Sequence, residues 1–268
     1  CSSHEYSLHH PKLGWSELDP NEVWSQVVAS IKESVGRVDP KQIQALSLST
    51  LGRNIMPVDK NGDWLYSTIQ CYDQRATEQL ARLQDSLGSD MLIDKTGIPF
   101  VQVPAAHIMW FHDNMPDVYD RTAKFVGWHE YVNWRLCGRF IIDYSLASCL
   151  SLFDPRKERW SPEILDVVKI DRDLLPEVEC AGTMVGEVTS EAAKETGLAR
   201  GTSIVVGAHD SDVSALGAGA IETGIWMNLT GTFDIIVAPL SGYNTSARAR
   251  AGFKQRRRHR KTRFFHSP

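Results

Sequence analysis

With 268 residues, 42% of them apolar, the chain is long enough for one or two packed domains, and its charged residues leave a net charge of −4. No apolar run approaches the roughly 18 residues of a membrane span, and CSSHEYSLHHP has no apolar signal core, so neither a membrane-spanning nor a secreted protein is expected. The five cysteines (Cys1, Cys71, Cys137, Cys149, Cys180) are scattered with no C-x-x-C, and the nine histidines form no H-E-x-x-H; the pattern argues against a disulfide framework and a dedicated protein metal site, and for a reducing cytoplasm.

The first element is a helix. Asp19 is an N-cap residue, Pro20 suits the first helical position, and Glu22 is placed to close a capping box. Val23, Trp24, Val27, Val28 and Ile31 then line one face, and Gly36 ends it. Ile43 to Thr50 reads as a buried strand, followed by a second strand through Ile55 to Val58. The Asn61-Gly62 turn leads to a third around Trp64 and Tyr66. Ala76 to Leu87 is an amphipathic helix. Ala105 to Leu152 is helical in pattern and rich in aromatic residues (Trp110, Phe111, Tyr119, Phe125, Trp128, Tyr131, Trp134), most of them expected in the core. Cys149 and Cys180 are expected as small core residues. Ser190 caps a helix that ends at Gly197. Strands alternating with helices indicate an α/β domain.

Residues 201–234 carry the most specific chemistry. The apolar run Ile204-Val205-Val206 ends at Gly207, and Asp210 follows, where open α/β sheets collect their ligands. A small-residue helix comes next, then an apolar strand and the turn Thr230-Gly231-Thr232, whose backbone N–H groups could meet a phosphate. Together these suggest a base that deprotonates a hydroxyl, facing a nucleotide's terminal phosphates. The plainer alternative for Asp210 is a helix N-cap.

The tail from Ala247 carries nine Lys or Arg and no acid; subtracting those nine from 29 leaves 20 bases against 33 acids, so the body is near −13. The tail lacks a hydrophobic period and is expected to be disordered. A nucleic-acid patch, a solvated tail without a role, and a frame-shifted reading of the gene are the alternatives, the last preferred.

Several ordered segments are similar to the FGGY carbohydrate kinases, the sugar and polyol kinases of the actin-like ATPase superfamily. The likeness runs from about Leu13 to about Pro239. LGWSELDPNEVW resembles the family's PGW-E-DP-E-W, and LSLSTLGRNIMPVDKNG its strand, glycine and hairpin. IQCYDQRA resembles its D-x-R-A loop, and YVNWRLCGRFIIDYSLASCLSLFD its Y-RLTG…D-S-AS-T-LFD. LLPEVECAGTMVGEVTSEAAKETGLARGT and the G-x-x-D…G-T segment around Asp210 complete the series.

The resemblance implies an actin-like (ribonuclease H-like) α/β fold, with residues 1–240 as an incomplete N-terminal, sugar-binding domain and 241–268 as the basic tail. The family's opening D-x-G-T-x-x-x-R strand and its second, nucleotide-binding domain are not matched here, and Phe233 stands where many members have Ser. It also implies transfer of a phosphoryl group from ATP to a sugar or polyol hydroxyl. Asp210 would be the catalytic base; Gly52, Arg53, Asp73, Arg75 and Asp143 would bind the acceptor; Thr230, Gly231 and Thr232 would bind ATP phosphates; and Mg²⁺ would arrive with ATP. Each has a plainer reading: a turn glycine for Gly52, a surface salt bridge for Asp73 and Arg75, a helix cap for Asp143. His209 either tunes the base or is a satisfied core histidine.

Xylulose, gluconate, fuculose and glycerol are all acceptors within this scaffold, and the YDQRA loop leans toward the ketose and gluconate types. The alternative function is a catalytically inactive sugar-binding remnant. Nucleic acid is not expected as a partner, a homodimer is left open, and the lack of G-x-S-x-G argues against an α/β hydrolase.

Overall fold

Local signals set the first boundaries in the computed structural model, which describes residues 1–97, 103–230, 234–240, 254–258 and 262–267. A short strand β1 (Glu17–Leu18) leads into α1 (Pro20–Val35), where the Asp19 carboxylate accepts from the Asn21 N–H at 2.8 Å and Pro20 takes the first position. The expected capping box does not close. Glu22 turns outward to the N-terminal arm and accepts from the Ser7 backbone N–H (2.9 Å) and hydroxyl (3.0 Å).

Next come β2 (Ala45–Thr50), β3 (Met56–Val58) and β4 (Thr68–Ile69). The Asn61-Gly62 turn forms, with Gly62 at φ 79°, but the returning chain makes a single bridge from Trp64 to Val58 rather than a third strand. Helix α2 (Thr77–Thr96) is interrupted at Gly88 (φ 64°, ψ 155°), so its periodic first part ends at Leu87 as the apolar spacing predicts.

The long helical stretch expected over Ala105 to Leu152 is divided. It contains α3 (Val103–Asn114), α4 (Pro116–Arg121), β5 (Lys124–Val126), α5 (Trp128–Cys137), β6 (Ile141–Asp143) and α6 (Tyr144–Ala147). After these come β7 (Phe153–Asp154), β8 (Arg159–Trp160), α7 (Pro162–Val168), β9 (Glu177–Glu179) and β10 (Met184–Glu187). Helix α8 (Ser190–Thr196) is capped by Thr189, one residue earlier than expected, and closes on Gly197 at φ 81°. The chain continues through β11 (Ser203–His209), α9 (Asp210–Gly217), β12 (Met227–Thr230) and β13 (Asp234–Leu240). In the stretch expected to be a disordered tail, β14 (Lys254–Arg258) and β15 (Thr262–Ser267) are strands, in a sheet ordered β12-β13-β15-β14.

Strands β5 and β6 are three residues each and hold their shape by distant pairing: β5 runs antiparallel to β3, β6 parallel to β9. The sheet that delivers Asp210 has the order β10-β11-β2, with β11 parallel to β2 and His209 opposite Thr50. The register slips between Val205 and Ala208. Gly207 sits in that slip, where a Cβ would lie 1.6 Å from the Leu48 carbonyl oxygen, so only glycine lets the two backbones pass. Ladder partners for β2 among the described residues are confined to β11, and its residues alternate between exposed and half-buried instead of being buried as expected. A strand with a neighbour on one side keeps an open edge.

Two apolar cores flank this frame. One gathers Leu83, Leu92, Phe111, Phe125, Phe153 and Ile164 among α2, α3 and α7. The other packs α1, α5 and α8 on the sheet through Trp24, Val58, Leu136, Ile204 and Val206. Each fully buried side chain of this size stabilises by about 1.5–3 kcal/mol relative to exposure. Trp110, Phe111, Phe125 and Tyr131 are buried as expected, and so is Cys149, whereas Cys180 is half-buried. No helix among the described residues is long and apolar enough to cross a membrane.

Candidate active site

Strand β11 passes into α9 without a loop: His209 is the last strand residue and Asp210 the first helical one. His209 therefore holds the N-cap position, and it makes no side-chain cap bond. The N-cap alternative for Asp210 is not realised. Its carboxylate accepts from the Ser211 N–H at 2.6 Å, and its side chain stays 45% exposed. A carboxylate at a strand end with nearly half its surface open can reach a ligand proton.

His209 is held on every side. Its backbone N–H donates to the Ser145 hydroxyl oxygen at 3.0 Å, and its Nδ1 lies 2.7 Å from Ser211 Oγ and 3.1 Å from Asp210 Oδ1. Its ring lies against Gly52, where a Cβ would come within 2.6 Å of His209 Cδ2 and 2.9 Å of Cys149 Sγ. The loop after β2 thus reaches the end of β11 because residue 52 has no side chain. Arg53 follows with φ 69°, a left-handed conformation that costs a non-glycine residue about 1–2 kcal/mol. Cys71, just beyond β4, faces the same place: burial pushes its thiol up, Arg53 opposes this, and Cys149 and Asp210 add to it. Gly52, Arg53 and Asp210, far apart in the chain, therefore share one neighbourhood with Cys71, Cys149 and His209.

Asp143 lies one step behind. It is buried, and its two oxygens accept from the Ser145 N–H (2.7 Å) and the Leu146 N–H (3.0 Å), which is the helix-cap alternative. Its contribution is to set Ser145, which in turn receives the His209 N–H.

Asp73 and Arg75 do sit on the same side of their loop, but that side is the interior. Arg75 Nε and Nη2 donate to the two Asp73 oxygens at 2.9 and 2.8 Å, Nη2 also reaches Glu17 at 2.7 Å, and both side chains of the Asp73–Arg75 pair are fully buried. The guanidinium lies 3.8 Å from the Trp15 ring centroid and 5.3 Å from that of Trp110, so aromatic rings cover it. The surface-salt-bridge reading is corrected accordingly: this is a buried ion pair. Burial works against the Asp73 charge, but the His107 imidazole, Arg75 and the Ser16 N–H together hold its carboxyl well below the usual range. His107, whose Nε2 is 3.6 Å from Asp73, is itself pushed down by burial. The pair locks the loop that carries Cys71.

Thr230 ends β12 opposite Asp234 and is exposed, while Gly231 and Thr232 lie outside the described residues. Among the described residues no group of three His, Cys, Asp or Glu side chains could hold a metal ion. Sequence reasoning missed Cys71 and Ser145. Cys71 stands inside the IQCYDQRA segment and could have been singled out there; Ser145 carries no local signal, since its role comes only from meeting β11.

A family model described as the FGGY family of carbohydrate kinases, N-terminal domain, matches residues 1–217. The chain is similar to the xylulose kinase of Lactococcus lactis, with 30% identity over 239 residues, covering 88% of this chain and 48% of that protein. It is 29% identical over 244 residues to the glycerol kinase of Thermococcus onnurineus, again covering 88% of this chain and 48% of that one. The crystal structure of xylulose kinase from Lactobacillus acidophilus matches with a TM-score of 0.89 at 22% identity, over 98% of this chain and 53% of that chain. At that identity the likeness shows the fold, which is the actin-like one, represented here by its N-terminal domain. The chain spans about half the length of the curated relatives it matches.

Proposed function

The chain belongs to the FGGY family of carbohydrate kinases, and on that premise we propose that the protein containing it transfers the terminal phosphoryl group of ATP to a hydroxyl of a sugar or polyol, with Asp210 as general base. The observation that carries this reading is the half-exposed Asp210 carboxylate at the β11–α9 junction, next to His209, whose ring lies against Gly52. Asp210 takes the proton of the acceptor hydroxyl as its oxygen bonds to the terminal phosphorus, and the bond to the ADP oxygen breaks. Such a transition state is loose, so positioning dominates and the base adds about 10²–10⁴-fold.

Gly52 lets its turn close against His209 at the end of β11, and the Arg53 guanidinium donates to the acceptor's hydroxyls. Asp73 and Arg75 support acceptor binding by fixing the Cys71 loop, and Asp143 supports it through Ser145. We assign the ATP phosphates to Thr230, Gly231 and Thr232, of which the exposed Thr230 at the end of β12 fits such a role. ATP would supply the phosphoryl group, and Mg²⁺ arriving with it would neutralise its charge. A hard cation held mainly by phosphate oxygens and water would need no dedicated cluster of protein ligands.

The second reading is favoured by the half-length match: the chain alone is an acceptor-binding unit without turnover. An ADP-release assay over pentuloses, gluconate and polyols tests both. In a protein that turns over, Asp210→Asn is expected to lower kcat by about 10²–10⁴-fold. Undiminished turnover in that variant would sink the assignment of the base, and sugar-dependent turnover by the isolated chain would sink the second reading.

A further inference from the structure

Helix α5 begins at Trp128, and its N-cap residue is Gly127, which has no side chain to accept from the first free N–H groups. The Trp128 N–H is instead satisfied from outside the helix. Asn54, 74 residues earlier and buried, accepts it on Oδ1 at 3.0 Å, and its Nδ2 donates to the Leu51 carbonyl at 2.9 Å. The amide can stand only one way round, because one partner is a donor and the other an acceptor. Glu130 completes the cap by accepting from the Gly127 N–H at 2.8 Å. A Cβ on Gly127 would lie 2.9 Å from Asn54 Oδ1 and 3.0 Å from Glu130 Oε2, so the glycine is what lets Asn54 in.

The loop that Asn54 ties down is the one that presents Gly52 and Arg53. Arg53 is held left-handed at φ 69°, a conformation that persists only when its surroundings over-determine it. The two bonds of Asn54 span this residue: Leu51 lies on one side of it and α5 anchors the other. We infer that Asn54 is a positioning residue, which holds the Gly52–Arg53 turn against the N-terminus of α5 and so aims Arg53 at the acceptor. The inference rests on the acceptor role proposed above for Arg53. Asn54 itself touches no substrate in this scheme.

Two readouts on the chain separate the claims. Amide hydrogen exchange over residues 51–55 and 127–129 reports the latch. Calorimetric affinity for D-xylulose, D-gluconate and glycerol reports its consequence. Losing both side-chain bonds in Asn54→Ala is expected to speed exchange at Arg53 and Trp128 about tenfold and to weaken the bound acceptor about tenfold, with a cooperative unfolding transition retained. Asn54→Asp keeps the oxygen for Trp128 and is expected to restore protection there. Gly127→Ala, which leaves Asn54 intact but crowds it, is expected to reproduce Asn54→Ala. Unchanged exchange in Asn54→Ala and Gly127→Ala overturns the inference, as does faster exchange with acceptor affinity at the wild-type level. If the wild-type chain binds none of the three probes, the functional reading fails while the exchange result still decides the latch.

Discussion

Replacing Glu130 by glutamine is expected to flatten the pH dependence of stability on the alkaline side of pH 5. Glu130 is buried at the start of α5. Burial pushes its carboxyl up from 4.5 to about 7; the Gly127 N–H it accepts opposes the shift and the charge of Asp143 adds to it. The folded protein thus keeps this proton to higher pH than the unfolded chain does. Between about pH 4.5 and 7 the folded state binds more protons, so stability falls as pH rises through that window and levels off above it. At 1.36 kcal/mol for each pH unit separating the two values, the loss has a ceiling of about 3 kcal/mol. Glutamine fills the same volume and can still accept from Gly127, but carries no charge at any pH. Urea denaturation of the wild type and Glu130→Gln at pH 5, 6, 7 and 8 checks this. The variant should gain relative to the wild type as pH rises, with the two nearly equal at pH 5. Parallel stability curves across the range would refute a neutral, desolvated Glu130.

Gly207→Ala is expected to abolish folding or cost well over 4 kcal/mol, because the added Cβ would meet the Leu48 carbonyl at 1.6 Å and force β2 and β11 apart; a cooperative thermal transition near the wild-type midpoint would contradict this. Asp73→Asn leaves the buried Arg75 with Glu17 as its remaining carboxylate, and a loss near 3 kcal/mol is expected from denaturant titration at pH 7. Because the folded Asp73 carboxyl is held below its ordinary value of 3.8, its contribution is full above that value and is lost as pH falls through the lower folded one, so wild type and variant should converge in acid.

The ordered motifs from Leu13 to Pro239 were enough, by themselves, to identify the fold and the family. Helix ends governed by a few neighbouring residues were legible too: Asp19 and Pro20 at α1, Gly197 after α8, and the break after Leu87. Asp210 could be singled out because an apolar run, a glycine and a carboxylate follow one another within a few residues. What stayed hidden depends on partners remote in sequence. Strands β5 and β6 are too short to show a period and exist only through β3 and β9, so they read as helix. β2 read as buried, but its exposure depends on what packs on its faces: Leu46 and Leu48 lie half-buried against the core while the alternate residues face outward. Asp73 and Arg75 were expected to meet the acceptor or, on the plainer reading, to pair at the surface, and only the packing of Trp15 and Trp110 over the guanidinium makes them internal. Asn54 gave no local sign at all. Its role arises from Gly127, 73 residues on, lacking the side chain a helix N-terminus ordinarily supplies, a vacancy that only the folded chain can fill.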